Sequence, residues 1–375
     1  MKSSSLKNPP RFALALLSDV TSPGALHSIP GRNKSARATG GASVTVRRGL
    51  RISGVLLVLL LCISACSDKP TEDATRLPAP VRVGYVPIAD NAQLYAALQQ
   101  KFFDDAGLRV ELVPLANGSR VIEAAVAASG DNIDIGFANV VSILQARARG
   151  LDLKVIAGGP VESKGRSTHA LVVRRDSGIV SPRDLVGKSV AVNALKNIED
   201  LTVSRYLRLE GIDPNLVRRV EVPFPEMLAV LSGGRVDAAS MLEPGLSAAI
   251  SDPSLRVLAR HYVAVQPQTI ISAYFSTERF IAGDPRAVDG FAGAIQKATT
   301  FIGEPKNDQV VRELLVEYTK IDPEMAGRVT IPRFAAEFSW RDLQPWADYL
   351  TQEGLIPKAF EPRAMIWEPS SANRN

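Results

Sequence analysis

Cysteine and histidine are almost missing from this chain: two and three residues among 375. Cys62 lies inside an N-terminal apolar tract that an exported protein loses, which leaves Cys66 as its single cysteine. One cysteine makes no internal disulfide and no Cys-ligated metal site. Beyond the N-terminal region the histidines are His169 and His261, without metal-ligand spacing, and neither H-E-x-x-H nor G-x-S-x-G occurs. The motif residues of zinc and serine hydrolases are thus absent, and neither a metal nor a cofactor is expected. A long apolar run is missing too. Ile52 to Ala65 supplies about 14 apolar or small residues, fewer than the roughly 20 that cross a bilayer.

What that tract does have is the pattern of an export signal. Arg47, Arg48 and Arg51 precede it and it ends Ile63-Ser64-Ala65-Cys66, a basic flank before an apolar stretch and a small-residue cleavage point. The last four residues resemble a bacterial lipobox, which implies lipidation of Cys66. Cys62 does not qualify, because branched Leu61 precedes it. A plain secretory signal cut after a nearby alanine is the alternative. Ser67 follows Cys66, so the resemblance implies the outer membrane of a two-membraned cell, or the single membrane of a one-membraned one. Residues 1–65 are then leader, and 66–79 a lipidated, polar linker. Residues 1–43 are long for a signal's basic region, and initiation near Val44 or Val46 would account for that.

Removing the leader reverses the charge. The whole chain is formally +5, but nine of its basic residues and one acid lie within 1–66. Thirty-five basic and 38 acidic residues remain, a balance of −3. The basic character belongs to the leader, so nucleic acid is excluded as a partner.

Downstream, one supersecondary unit occurs twice. A β-branched strand Val81–Val86, a helix ending near Gly107, a strand Leu108–Val113 stopped by Pro114, a helix reaching Ser129-Gly130 and a strand Ile133–Phe137 form the first copy. Ser189–Val192, a helix ending at Gly211, Val217–Val222 stopped by Pro223, a helix reaching Ser232-Gly233 and Val236–Ser240 form the second. The spacing S-G-x-x-[I/V]-D recurs at Ser129–Asp134 and Ser232–Asp237. Alternating strands and helices predict sheets with helices on both faces, and two copies predict two lobes. Asp134 and Asp237 lie at the entry of their strands, the end away from ligands of a parallel sheet, so a structural role is expected of them. Ser181-Pro182 predicts a short capped helix. Thr269–Phe275 predicts a strand, followed by helices near Pro285–Ile302, Asp308–Lys320, Pro323–Arg328 and Trp340–Glu353. That final helical block packs back on the first lobe. The expected domains are therefore 80–172 and 269–375 for the first lobe and 173–268 for the second, with two crossings forming a hinge.

Several stretches carry a family resemblance: Gly84-Tyr85-Val86-Pro87, Gly150-Leu151-Asp152-Leu153-Lys154-Val155-Ile156-Ala157, Pro182-Arg183-Asp184-Leu185-Val186-Gly187-Lys188, Leu231-Ser232-Gly233-Gly234-Arg235-Val236-Asp237-Ala238 and Glu243-Pro244. Across roughly Val81 to Pro357 the chain resembles the solute-binding proteins of nitrate, sulfonate and taurine importers. The resemblance implies an α/β, two-lobed type II periplasmic binding protein fold, each lobe a mostly parallel sheet flanked by helices. It implies a monomer that closes on a small organic molecule or anion and hands it to an ABC permease and ATPase complex. Thiamine-pyrimidine synthases share this fold, but their cysteine-rich motif is impossible here, and no enzyme activity is expected. A lipoprotein presenting ligand to a sensor and a secreted hydrolase are the alternatives.

Cleft residues are expected on loops after strands and at first turns of helices, where free N–H groups lie. These are Asp90, Asn91, Ser119, Ala138 and Asn139 in the first lobe, and Asn193, Asn197, Phe224 and Glu243 in the second. Ser119 and Asn139 are equally good N-caps. Lys196 has a solvated surface as its ordinary place, and Phe224 either stacks on ligand or belongs to lobe core. Glu243 receives a donor either from ligand or from the helix beginning at Gly245.

Overall fold

The computed structural model describes residues 79–127, 132–358 and 360–369. The signal tract, Cys66, nearly all of the linker, and Ser129 and Gly130 of the shared spacing lie outside the described residues. Along the chain run β1 (Val81–Tyr85), β2 (Val110–Pro114), β3 (Ile135–Asn139), β4 (Leu153–Gly158), β5 (Pro160–Ser163) and β6 (His169–Arg174). Then come β7 (Ser189–Val192), β8 (Arg218–Glu221), β9 (Ala238–Leu242), β10 (Leu255–Ala259), β11 (Gln268–Ile270), β12 (Ser272–Thr277) and β13 (Arg333–Phe334). They assemble into one sheet ordered β2-β1-β3-β12-β4, another ordered β10-β6-β9-β7-β8, and a small third, β11-β5-β13.

Read from its other edge, the second sheet repeats the first position for position. β1 pairs in parallel with β2 and β3, and β7 does so with β8 and β9. The remaining pairings, β3 with β12, β12 with β4, β9 with β6 and β6 with β10, are antiparallel. In each sheet four of the five strands therefore run the same way and one, β12 or β6, runs against them, so each is a mostly parallel sheet as expected. The single reversed strand has a topological cause: the fourth strand of each sheet is the one the chain forms just after crossing from the other lobe. The chain leaves the first sheet through β5, enters the second at β6, and returns through β11 to β12. A division at 172/173 falls inside β6, and one at 268/269 falls inside β11. β5 and β11 pair with each other at the joint.

Local chemistry explains the repeated parts. Asp134 accepts the Arg82 N–H at 2.8 Å, and Asp237 accepts the Ser189 N–H at 2.8 Å, so each aspartate ties its strand to the start of the neighbouring one. Gly107 and Gly211 end their helices in the left-handed region, at φ 71° and 73°. Ser181 and Asp184 form a capping box around Pro182.

Apolar residues cover both faces of each sheet. Phe137 and Tyr274 pack with Phe291 of the helix Pro285–Gly303 on one face of the first sheet. Phe275 and Val155 share the other face with Leu144 and with Trp346 of the helix Trp340–Gln352. The C-terminal helices thus do pack on the first lobe. In the second, Ala191 and Met227 lie on one side of the sheet and Val190 and Leu207 on the other. Ile198, Leu201 and Leu242 join the cluster of Ile88 and Ile271, so apolar packing is continuous between the lobes. Among the described residues no helix is long and apolar enough to cross a membrane.

Candidate functional site

A cavity of about 40 Å³ lies where the carboxyl ends of β1, β3, β7 and β9 face one another, the position open α/β sheets use for ligands. Six of the nine residues expected in the cleft line it: Asp90, Ala138, Asn139, Asn193, Asn197 and Phe224. Asn139 and Asn197 are also N-caps, each Oδ1 accepting the backbone N–H three residues on, from Ser142 at 2.9 Å and Asp200 at 3.2 Å. Asn197 Nδ2 donates to Asn193 Oδ1 at 2.7 Å, which ties the loop after β7 to the helix Ile198–Leu209. Phe224 starts the helix Phe224–Ser232 and packs against the cores of both lobes.

Three expected residues lie elsewhere. Asn91 is buried and donates through Nδ2 to the Val86 carbonyl at 2.8 Å, bracing the turn that presents Asp90. Ser119 lines a separate groove, with Lys196 and Arg149, and the cap of its helix is Asn117. Glu243 is held by its own chain: its carboxylate accepts the Ser247 N–H at 3.1 Å, the Ser247 hydroxyl at 2.9 Å and the Thr330 N–H at 3.2 Å. The helix Gly245–Ser251 therefore supplies its donors, and the side chain is a strut between the second lobe and the C-terminal block.

Beneath the cavity is a buried ionic cluster that sequence spacing did not indicate. His169, at the first position of β6, is fully buried and lines the cavity together with Glu199. Its Nδ1 lies 3.1 Å from Glu162 Oε2, and its Nε2 lies 3.5 Å from Glu199 Oε1. Glu162 stands on β5 and also accepts the Thr168 N–H and hydroxyl, at 3.1 and 3.0 Å. Glu199 accepts the Tyr262 hydroxyl at 2.8 Å and the Ser240 hydroxyl as well. Ser240 Oγ in turn lies 3.0 Å from His261 Nε2.

The two histidines are driven apart. Burial disfavours the charged ring of His169, but the hydrogen bond and charge of Glu162, with Glu199 and Asp90 behind it, lift its pKa to about 9. Burial and the neighbouring His169 charge push His261 down to about 3. Burial pushes the Asp90 carboxyl up to about 6, with His169 pulling the other way. Asp90 Oδ1 and His169 Nε2 are buried and have no hydrogen-bond partner among the described residues. An ionised acceptor and a charged donor thus wait at one cavity. Among the described residues no lysine or arginine lines it, and no group of three side chains there could hold a metal ion.

Residues 88–307 match the family described as NMT1/THI5 like. A Brachyspira hyodysenteriae protein with the provisional name ABC transporter periplasmic binding protein is 26% identical over 53% of this chain, which spans 58% of that relative's length. A provisionally named aliphatic sulfonates-binding protein of Escherichia coli is 23% identical over 86% of this chain and 96% of its own. The formylaminopyrimidine-binding protein of Halalkalibacterium halodurans is 25% identical over 51% of this chain and 55% of its own. The periplasmic nitrate-binding protein of Synechocystis PCC 6803 superposes with a TM-score of 0.66 at 13% identity, over 76% of this chain and 84% of that one. With its paired five-stranded sheets and double crossing, the chain has the two-lobed fold of the type II periplasmic binding proteins, and it belongs to the NMT1/THI5-like family.

Proposed function

We propose that this protein is the extracytoplasmic solute-binding component of an ABC importer, and that its ligand is a small, neutral amino-substituted heterocycle. The observation that carries the ligand class is a pair of buried atoms without a hydrogen bond, Asp90 Oδ1 and His169 Nε2, the latter in ionic contact with Glu199 at 3.5 Å. An amino group would donate to the first and an adjacent ring nitrogen would accept from the second. A sulfonate or nitrate fits less well. It would meet the Asp90 and Glu199 carboxylates with one cation near it, and that cation already faces Glu162. Relatives named as binding proteins support binding without turnover. In this reading ligand draws the lobes together by preferring the closed form, and the closed form engages the permease and its ATPase.

In this reading the first lobe comprises 79–158 and, apart from β13, 272–369, and the second 169–259, with β5, β11 and β13 as the joint. Export and a lipid on Cys66, resting on Ile63-Ser64-Ala65-Cys66, would hold the protein as a monomer at the membrane surface. Cys66→Ser should leave the protein unacylated and its leader uncleaved, and an unmodified Cys66 thiol in membrane-derived protein would remove the anchor. For the ligand, thermal melts are run with 2-aminopyrimidine, taurine, methanesulfonate and nitrate. Only 2-aminopyrimidine should raise the melting temperature, and Asp90→Asn should abolish its effect. Stabilisation by methanesulfonate or nitrate, with none by 2-aminopyrimidine, would overturn the ligand class.

A further inference from the structure

A second chamber opens beside the polar cavity, larger and of different chemistry. It measures about 470 Å³ and shares Ile88, Phe224 and Leu242 with the cavity as common walls. Its remaining walls are largely apolar, and Met227, Met241 and Met325 contribute to them. Met227 and Met241 are buried. Thioether side chains are flexible and polarizable, so such walls adapt to different apolar groups. Charged neighbours are few. Glu243 has its carboxylate taken up by Ser247 and Thr330, and Lys320 and Asp322 follow the helix Asp308–Thr319.

The two volumes together limit the ligand. A cavity of about 40 Å³ has room for on the order of three water molecules, enough for the donor edge of a molecule and too little for the whole. The rest of any ligand seated on Asp90 and His169 has to lie beyond the shared walls. We propose that the apolar chamber binds the apolar remainder of the same ligand, an alkyl or aryl group carried opposite the amino edge, and that Phe224 is the gatepost between head and tail. This rests on the reading of the polar cavity given above. The ligand class then becomes an amphiphilic amino-heterocycle, and chain length becomes a determinant of affinity.

Two probes separate the halves. N-phenyl-1-naphthylamine, neutral and apolar, brightens on leaving water and reports the chamber alone. It should bind wild type saturably and bind Ala248→Trp at least tenfold more weakly, because Ala248 lines the chamber. Asp90→Asn should leave its affinity within twofold. Leu228→Trp, on another wall, serves as a second filled variant, with circular dichroism and a melt to verify folding. The head-and-tail link is tested with 2-aminopyrimidine against its 5-alkyl derivatives. Affinity should rise up to about fourfold per added methylene, and the rise should vanish in Ala248→Trp while 2-aminopyrimidine itself binds as before. No saturable naphthylamine response, or one indifferent to both tryptophans, overturns the chamber. Equal affinities of 2-aminopyrimidine and its 5-butyl derivative overturn the link. Failure of 2-aminopyrimidine to bind while the naphthylamine binds as described overturns the reading of the polar cavity and leaves the chamber standing.

Discussion

Asp90 makes ligand affinity depend on pH in a calculable way. Its carboxyl is 1% exposed and burial raises its pKa from 3.8 to about 6; Glu162, Glu199 and Glu243 add to the rise and His169 opposes it. If the ionised form accepts the ligand's amino group, binding competes with protonation. At pH 5 about one tenth of the empty protein carries an ionised Asp90, so the apparent Kd should be about tenfold weaker than at pH 7.5, by the fraction of competent protein. His169, with a pKa of about 9, stays charged throughout. Calorimetric titration with 2-aminopyrimidine, which remains neutral over this range, should give log Kd falling by one per pH unit below 6 and flat above 7. Asp90→Asn should flatten the profile and weaken binding at pH 7.5 by about 1 to 3 kcal/mol, roughly tenfold to a hundredfold. The same shift fixes the sign of an effect on the empty fold. A carboxyl whose pKa is raised by folding favours the fold when protonated, so its contribution is lost as pH rises from near 4 through 6. Asn in its place should therefore stabilise the empty protein at pH 7.5, by up to about 3 kcal/mol. A Kd constant from pH 5 to 8, or a slope that persists in Asp90→Asn, would refute the argument.

Glu243→Gln should leave 2-aminopyrimidine affinity unchanged and lower stability by about 1 to 3 kcal/mol in urea melts, because Ser247 and Thr330 lose a charged acceptor; a weakened Kd would return Glu243 to the site. His169 has a pKa raised by folding from 6.5 to about 9, so the stability it adds is complete below pH 6.5 and lost as pH rises through 9. Compared with His169→Gln, the wild type should lose about 3 kcal/mol between pH 6.5 and 10, and parallel pH profiles would contradict this. Trp346 is fully buried and its Nε1 donates to Thr269 Oγ1 at 2.8 Å; Trp346→Ala should cost about 3 to 5 kcal/mol by denaturant titration, and a loss under 1 kcal/mol would mean the site collapses freely.

The repeated unit was legible because its punctuation is local. Gly107 and Gly211 end helices within one turn, and the S-G-x-x-[I/V]-D spacing fixes Asp134 and Asp237 next to the strands they brace. The residues that line the cavity at the ends of β1, β3 and β7 were legible for the same reason: they end or follow strands the sequence shows. His169, Glu162 and Glu199 were not. They come from the joint, the first strand past the crossing and the first turn of a helix, and only the assembled fold brings their charges together. The apolar run Thr269–Phe275 likewise hides a change of sheet. Ile271 sits between β11 and β12, its N–H donating to Pro160 and its carbonyl accepting from Val140, so one sequence-level strand serves two sheets. Glu243 misled because a helix start and a ligand amine both offer it donors.

The late position of β12 in the chain also sets an order of assembly. Every strand of the second sheet, β6 to β10, lies within residues 169–259, so that lobe has all its partners in one uninterrupted stretch. The first sheet does not: β3 and β4 are joined only through β12, at residues 272–277. As the chain emerges, β1 to β4 must wait as an incomplete sheet with an unpaired edge while more than a hundred further residues are delivered. Unpaired edges held open in this way are the species most exposed to misassembly. The lobe encoded second is thus the one able to finish first, and the N-terminal lobe waits through its synthesis before its own last strand, β12, arrives.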